Sequence, residues 1–154
     1  AKKNSTHNEN KKIVEWLLKK EEIFKYNDLI THKNFYQECL KQRKILINLL
    51  KNLKNMKKTV LGYGASTKGN VILQFCNIDS NLIPYIGEVN KYKYNKYTPG
   101  SGIKIISEKE LKNKKPDYLL VLPWHFKNFI IKKEQKFIKN GGKLIFPLPD
   151  IEII

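Results

Sequence analysis

The spacing of apolar positions changes near Lys58, and the change divides the chain. Ahead of it, Ile13, Trp16 and Leu17, then Ile23 and Phe24, recur at helical intervals and predict a helix over roughly 12–25. A turn region at 26–31 follows. Phe35, Cys39, Leu46, Leu50 and Leu53 then share one face of a longer helix that ends near Met56. Both helices are expected to serve packing and linkage. The opening AKKNSTHNENKK is polar and without period, so residues 1–12 are expected to fray.

After Lys58 the helical period gives way to short apolar runs punctuated by turn residues. Strands are predicted at 59–61, 82–86, 103–106, 118–122 and 143–146, with helical stretches at 68–76, 107–113 and 124–140 between them. Ser107 with Glu110 has the spacing of a capping box, and Gly141-Gly142 stops the last long helix. Short buried strands alternating with helices give an α/β fold: a doubly wound, mostly parallel sheet of about five strands with helices on both faces. The predicted division is a tail and helical linker over 1–57 and the sheet domain over 58–154. A chain of 154 residues buries a sizeable core without disulfides or metals.

Charge changes this picture less than its size suggests. The formal charge is +16, yet Arg43 is the only arginine among 30 basic residues. The wealth of Lys, Asn and Ile points to an A/T-rich coding sequence, and the lysines are scattered over every helix and loop. Nucleic-acid readers use arginine forks and stacked aromatics besides bulk charge, so weak, salt-sensitive sticking to polyanions is expected rather than specific recognition. Cys39 and Cys76 fall inside apolar helical patterns and are expected to be buried, reduced packing residues. No His, Cys and acidic cluster has metal-ligand spacing, and no metal is implied. No apolar run approaches the roughly 18 residues of a membrane span, and no leader pattern is present. The expected location is cytoplasmic, away from any membrane.

Chemistry concentrates at strand ends, where open parallel sheets bind ligands. In VLGYGASTKGN, residues 60–70, Gly62 and Gly64 permit a tight turn and close approach of backbone N–H groups to an anion. A helix opening at Lys68 directs its positive end to the same place. Neither familiar fingerprint fits. A dinucleotide-binding turn wants glycine where Thr67 stands, two positions before Gly69, and in a P-loop the lysine follows its glycine instead of preceding it. The turn therefore reads either as an anion site or as a packing turn between strand and helix. Glu88, just past the second strand, has the position from which an acid accepts ribose hydroxyls; it reads equally as a surface carboxylate. The loop NKYKYNKYTPGS, residues 90–101, interleaves Lys91, Lys93 and Lys96 with Tyr92, Tyr94 and Tyr97 before Pro99-Gly100. Such a loop either stacks a base or sugar beside a phosphate or is a floppy basic connection. VLPWHF leaves Trp124 and His125 at the fourth strand's end, Trp124 as a stacking face and His125 as a binding or structural residue.

Four ordered blocks, GYGASTKGNVILQFCNI, NKYKYNKYTPGSGIKI, PDYLLVLPWHF and GGKLIFPLP, resemble the C-terminal domain of the sugar C-methyltransferases. The helix NFYQECLKQRKILINLL resembles the segment leading into that domain, so the likeness runs from about Ile13 to the end. Those enzymes place a methyl group from S-adenosylmethionine on a carbon of a nucleoside-diphosphate deoxysugar. The resemblance implies a Rossmann-like domain that closes over the nucleotide sugar. It also implies two further parts, a zinc-binding N-terminal region and a central S-adenosylmethionine-binding domain. This stretch would then bind neither cofactor, partner the missing domain, and methylate nothing alone.

Carried over by resemblance, Gly62, Tyr63, Gly64, Ala65, Ser66, Lys68, Gly69 and Asn70 form the loop facing the sugar-nucleotide cleft. Tyr97, Pro99 and Gly100 form a second loop, and Trp124 with His125 a third, with Glu88 where the family usually has Asp. Ser66-Thr67 stands where the family has smaller or prolyl residues. Two other readings stay open: a free-standing nucleotide-binding regulatory module, and a basic nucleic-acid-binding protein.

Overall fold

The computed structural model describes residue 4 and residues 10–154. Of the stretch expected to fray, residues 1–3 and 5–9 lie outside the described residues. Helix α1 spans Lys11–Ile23 and is capped by Asn10, whose side chain accepts from the Ile13 N–H. Helix α2 spans Leu29–Asn55. The chain divides inside α2, with one unit ending at Leu40 and the other covering Lys41–Ile154. In the first unit no described residue is buried, and Cys39, expected to be buried, is only partly so. Cys76, in the second unit, is buried, and burial pushes its thiol pKa up, which keeps it protonated and inert.

The second unit is a sheet between two layers of helix. Its elements run β1 (Val60–Tyr63), α3 (Thr67–Phe75), β2 (Tyr85–Glu88), β3 (Lys104–Ser107), α4 (Glu108–Asn113), β4 (Tyr118–Val121), α5 (Lys127–Lys133), α6 (Gln135–Lys139), β5 (Lys143–Phe146) and β6 (Glu152–Ile153). The strand order is β3-β2-β1-β4-β5-β6. The first five are parallel to their neighbours, and β6 is antiparallel to β5. This is the Rossmann-like arrangement the sequence predicts, with a sixth strand it does not. Because β2 and β3 lie to one side of β1 while β4 and β5 lie to the other, the order reverses between β1 and β4, the switch point where such sheets open a crevice.

Alternation along each strand sorts the core. Val60, Ile86, Leu120 and Ile145 face one side, where Leu46, Leu50 and Leu53 of α2 and Leu73 of α3 cover them. Leu61, Tyr63, Leu119, Val121, Leu144 and Phe146 face the other, under Leu111 of α4 and Ile130 of α5. Strands buried on both faces show runs of apolar residues rather than alternation, which is why they are legible as short blocks. The last half of α2 is thus part of the sheet's own core, not a linker outside it. Arg43 lies over the Phe75 ring at 5.6 Å and the Lys54 ammonium donates to the Asn81 carbonyl at 2.8 Å, fixing α2 beside α3.

Three elements depart from expectation. Strand β2 begins at Tyr85 because the Leu82 and Ile83 N–H groups donate to the Asp79 carbonyl in a helical turn, and Pro84 has no N–H to give a ladder. The predicted helix over 124–140 is broken into a 3₁₀ turn at Trp124–Phe126, then α5, then α6. The second break falls at Glu134, whose buried carboxylate accepts from the Tyr63 hydroxyl at 2.9 Å and pairs with the Lys112 ammonium at 2.9 Å. The connection from β2 to β3 holds no α-helix. After a 3₁₀ turn at Lys91–Lys93, residues 95–98 run antiparallel along β3: Asn95 N–H donates to the Ile105 carbonyl and Thr98 N–H to that of Ile103. The loop is ordered and closes an otherwise free sheet edge.

The capping box is present, with Glu110 N–H donating to Ser107 Oγ and Ser107 N–H to the Glu110 carboxylate. At the sheet's entry, the Asp117 carboxylate accepts from Thr59 N–H at 2.8 Å and from the Lys58 ammonium at 3.0 Å. The Thr59 N–H first, and Lys58 after it, hold the Asp117 pKa below the usual 3.8. A depressed carboxylate contributes stability above its unfolded pKa and loses it as pH falls through the folded value. Asp117→Asn is therefore expected to cost at most about 1 kcal/mol at pH 7, since solvent screens the ion pair. In thermal melts the deficit should narrow below pH 3.8. A deficit equal at pH 7 and pH 3 would contradict this. Leu50, 1% exposed, should cost about 2–5 kcal/mol as Leu50→Ala in urea unfolding. A loss under about 1 kcal/mol would place α2 outside the core.

Candidate functional site

The turn after β1 is shaped by its backbone. Gly64 adopts φ +79°, and a Cβ there would lie 2.8 Å from the Pro123 ring. Its N–H donates to the Gly87 carbonyl at 2.7 Å, which ties the turn to the end of β2. Ser66 caps α3: its Oγ accepts from Gly69 N–H at 3.0 Å, and its carbonyl from Asn70 N–H at 3.0 Å. Ser66 N–H donates to the Gly64 carbonyl, while Ala65 N–H donates to Glu88. Among the described residues, the Thr67 and Lys68 N–H groups have no acceptor, as the first turn of a helix requires. They point the positive end of α3 out of the turn. Gly69 lets the helix approach the sheet, since a Cβ would lie 2.4 Å from Leu122 Cβ. That is the packing task of the third glycine in dinucleotide turns, performed two residues later in the chain.

Glu88 holds this turn from behind. It is buried, and its carboxylate accepts from Ala65 N–H at 3.0 Å, Val89 N–H at 2.8 Å and Asn90 N–H at 3.0 Å. The Lys93 ammonium lies 3.4 Å from the same carboxylate and donates to the Ala65 carbonyl at 2.9 Å. The 3₁₀ turn is thereby fastened to the β1–α3 turn. Thr98, also buried, fixes the far end of the loop by accepting from Ile103 N–H at 2.9 Å and bonding Ser101 Oγ at 2.7 Å.

Between the two segments lies a cleft of about 280 Å³. Ala65, Ser66, Thr67 and Asn70 form one wall, Lys93 and the segment Lys96–Pro99 the other, and Leu73, Ile105 and Leu122 the floor. Asn70 Oδ1 is buried there without a hydrogen-bond donor. The wall and floor residues include no His, Cys, Asp or Glu. Its lining thus brings together two lysines, Lys93 and Lys96, the Tyr97 side chain and the amide of Asn70, without an imidazole or a carboxylate to act as a general base. Among the described residues no group of three or more His, Cys, Asp and Glu is placed to hold a metal ion, and no helix is long and apolar enough to cross a membrane.

Of the predicted residues, Ala65, Ser66, Asn70, Tyr97 and Pro99 line this cleft. Gly64 and Gly69 shape its turn, and Gly62 sits within β1, where a Cβ would meet Ile86 Cγ1 at 2.5 Å. Lys68 is exposed and is not among the residues that line the cleft. The Tyr63 side chain is turned into the opposite face, bonded to Glu134; burial, then the Glu134 and Glu108 carboxylates, push its phenol pKa up, so it remains protonated. Gly100, at φ +72°, borders a separate hollow with Gln74 and Asn77. Trp124 packs partly against both hydrophobic clusters, and exposed His125 stacks edge-on to it at 5.7 Å and near Phe126 at 4.3 Å. Neither lines the cleft. Lys93, Lys96 and Thr67 do, and were not among the assigned residues; the alternation of lysine and tyrosine in the loop is the signal that marks the first two.

Comparison with known proteins bears on this geometry. The family described as the C-methyltransferase C-terminal domain matches residues 1–149. C-methyltransferase NovU of Streptomyces niveus is 39% identical over 97 residues, which are 63% of this chain and 23% of that protein. The matched stretch thus spans less than a quarter of that relative's length. With a Rossmann-like sheet and this match over nearly its whole length, the chain belongs to the family of C-methyltransferase C-terminal domains.

Proposed function

We propose that the cleft holds a nucleoside-diphosphate deoxysugar for methylation by a larger S-adenosylmethionine-dependent enzyme of which this domain is one part. The observation that carries this reading is a single cleft lined both by Thr67, at the open N-terminus of α3, and by Lys93 and Lys96 of the facing loop. Those donors suit a pyrophosphate. Tyr97 supplies a ring for stacking a sugar or base, and Asn70 Oδ1 an acceptor for a hydroxyl or base N–H.

The methyl donor belongs elsewhere. Its sulfonium is a cation, and the charged side chains that line this cleft are both lysines, which repel it. When bound, S-adenosylmethionine supplies the electrophilic methyl group; the residues described here orient the acceptor sugar toward it. With neither an imidazole nor a carboxylate lining the cleft, the domain's contribution to rate is positioning.

Calorimetric titration at physiological salt tests this. A thymidine-diphosphate hexose is expected to bind, and S-adenosylmethionine and NAD are not. Binding of either of the latter more tightly than the nucleotide sugar would overturn the assignment. Lys96→Ala, which removes a charged phosphate contact worth about 1.5 kcal/mol, should weaken nucleotide-sugar binding roughly tenfold. Lys68→Ala retains its N–H and should change affinity less than about twofold. The reverse ranking would mean that the helix side chain, not the loop, meets the phosphates. Trp124→Ala is a poor probe, because that ring packs against both clusters and its loss disturbs the fold.

A further inference from the structure

We propose that the helical arm formed by α1 and the first half of α2 is the surface by which this domain docks onto the preceding part of a C-methyltransferase polypeptide. In the arm, up to Leu40, no described residue is buried. Yet it carries large apolar side chains in the open: Trp16 at 54%, Ile23 at 66%, Leu29 at 67% and Phe35 at 71% exposure. Ile13, Trp16 and Leu17 fall on one face of α1 at helical spacing, the pattern by which an amphipathic helix inserts into a groove. An exposed apolar surface rimmed by charge is a mark of association, and aromatic residues are the usual anchors.

Two observations name the occupant. The family match begins at residue 1, so the arm is part of the family's domain and not an appendage to it. That domain is by description C-terminal, and in the NovU relative 77% of the length lies outside the matched stretch (100% less 23%). An anionic membrane is a poorer fit, since Glu15, Glu21, Glu22 and Asp28 interrupt the lysines along the arm. The proposal rests on family membership and is independent of what the cleft binds.

Hydrogen exchange without nucleotide, compared between the full gene product and this chain alone, tests it. Amides of residues 11–36 should exchange at least tenfold more slowly in the full polypeptide. The double substitution Trp16→Glu/Phe35→Glu, at exposed positions, should return them to the rate of this chain while amides of β1 and β4 keep theirs, which shows that the domain stays folded. Equal rates in the two proteins, or a gene product no longer than this chain, would overturn the proposal. So would protection that appears in this chain alone as its concentration rises, which would make a second copy the occupant.

Discussion

The cleft depends on one buried carboxylate. Glu88 stands at the end of β2, beside the turn that leaves β1, and accepts from the N–H groups of Ala65, Val89 and Asn90. A buried charge is costly unless it is paired and hydrogen-bonded, and here three amides and the Lys93 ammonium meet that condition. The same bonds fix both walls at once. They hold the β1–α3 turn from behind and start the loop that returns along β3, so the separation of the walls follows from a single group. An acid in this position is often a ribose acceptor; here its bonds to the turn make it a support for the site.

Around that support the sheet divides its labour. One face packs on α2 and α3, whose positive end opens into the cleft. The other carries a separate polar network, in which Tyr63 bonds Glu134, and Lys112 pairs with Glu134. That network needs Glu134 turned inward, and the chain breaks between α5 and α6 at that residue. Gly64, which shapes the cleft's turn, and Tyr63, buried in the network on the other face, are thus adjacent in the chain. Adjacent positions in the motif consequently have unlike roles.

Much of this was legible in the sequence, and the exceptions have physical causes. Strands buried on both faces gave apolar blocks such as YLLV and KLIF, and the Ser107–Glu110 box is a local interaction that spacing alone specifies. The β6 pair, Glu152–Ile153, was not legible, because two exposed residues on an edge carry no burial pattern. The break at Glu134 arises from partners at Tyr63 and Lys112, 71 and 22 residues away, which no helical period reports. At the site, the turn was identified from its glycines and Lys68. Which residues line the cleft was not: strand alternation sends the Tyr63 side chain to the far side, and Lys68, though exposed, lies outside the lining. The loop's order was likewise hidden, since its pairing with β3 runs through backbone groups of Asn95 and Thr98 that composition does not mark.

The most direct test of Glu88 as support rather than ligand is the affinity for inorganic pyrophosphate, which has no ribose, in the wild-type chain and in Glu88→Gln. Removing a negative charge beside an anion site would by itself tighten binding. If Glu88 holds the walls, pyrophosphate binding should instead weaken, by the same factor as nucleotide-sugar binding. Pyrophosphate affinity unchanged or improved while nucleotide-sugar affinity falls would make Glu88 a ribose ligand and contradict the account.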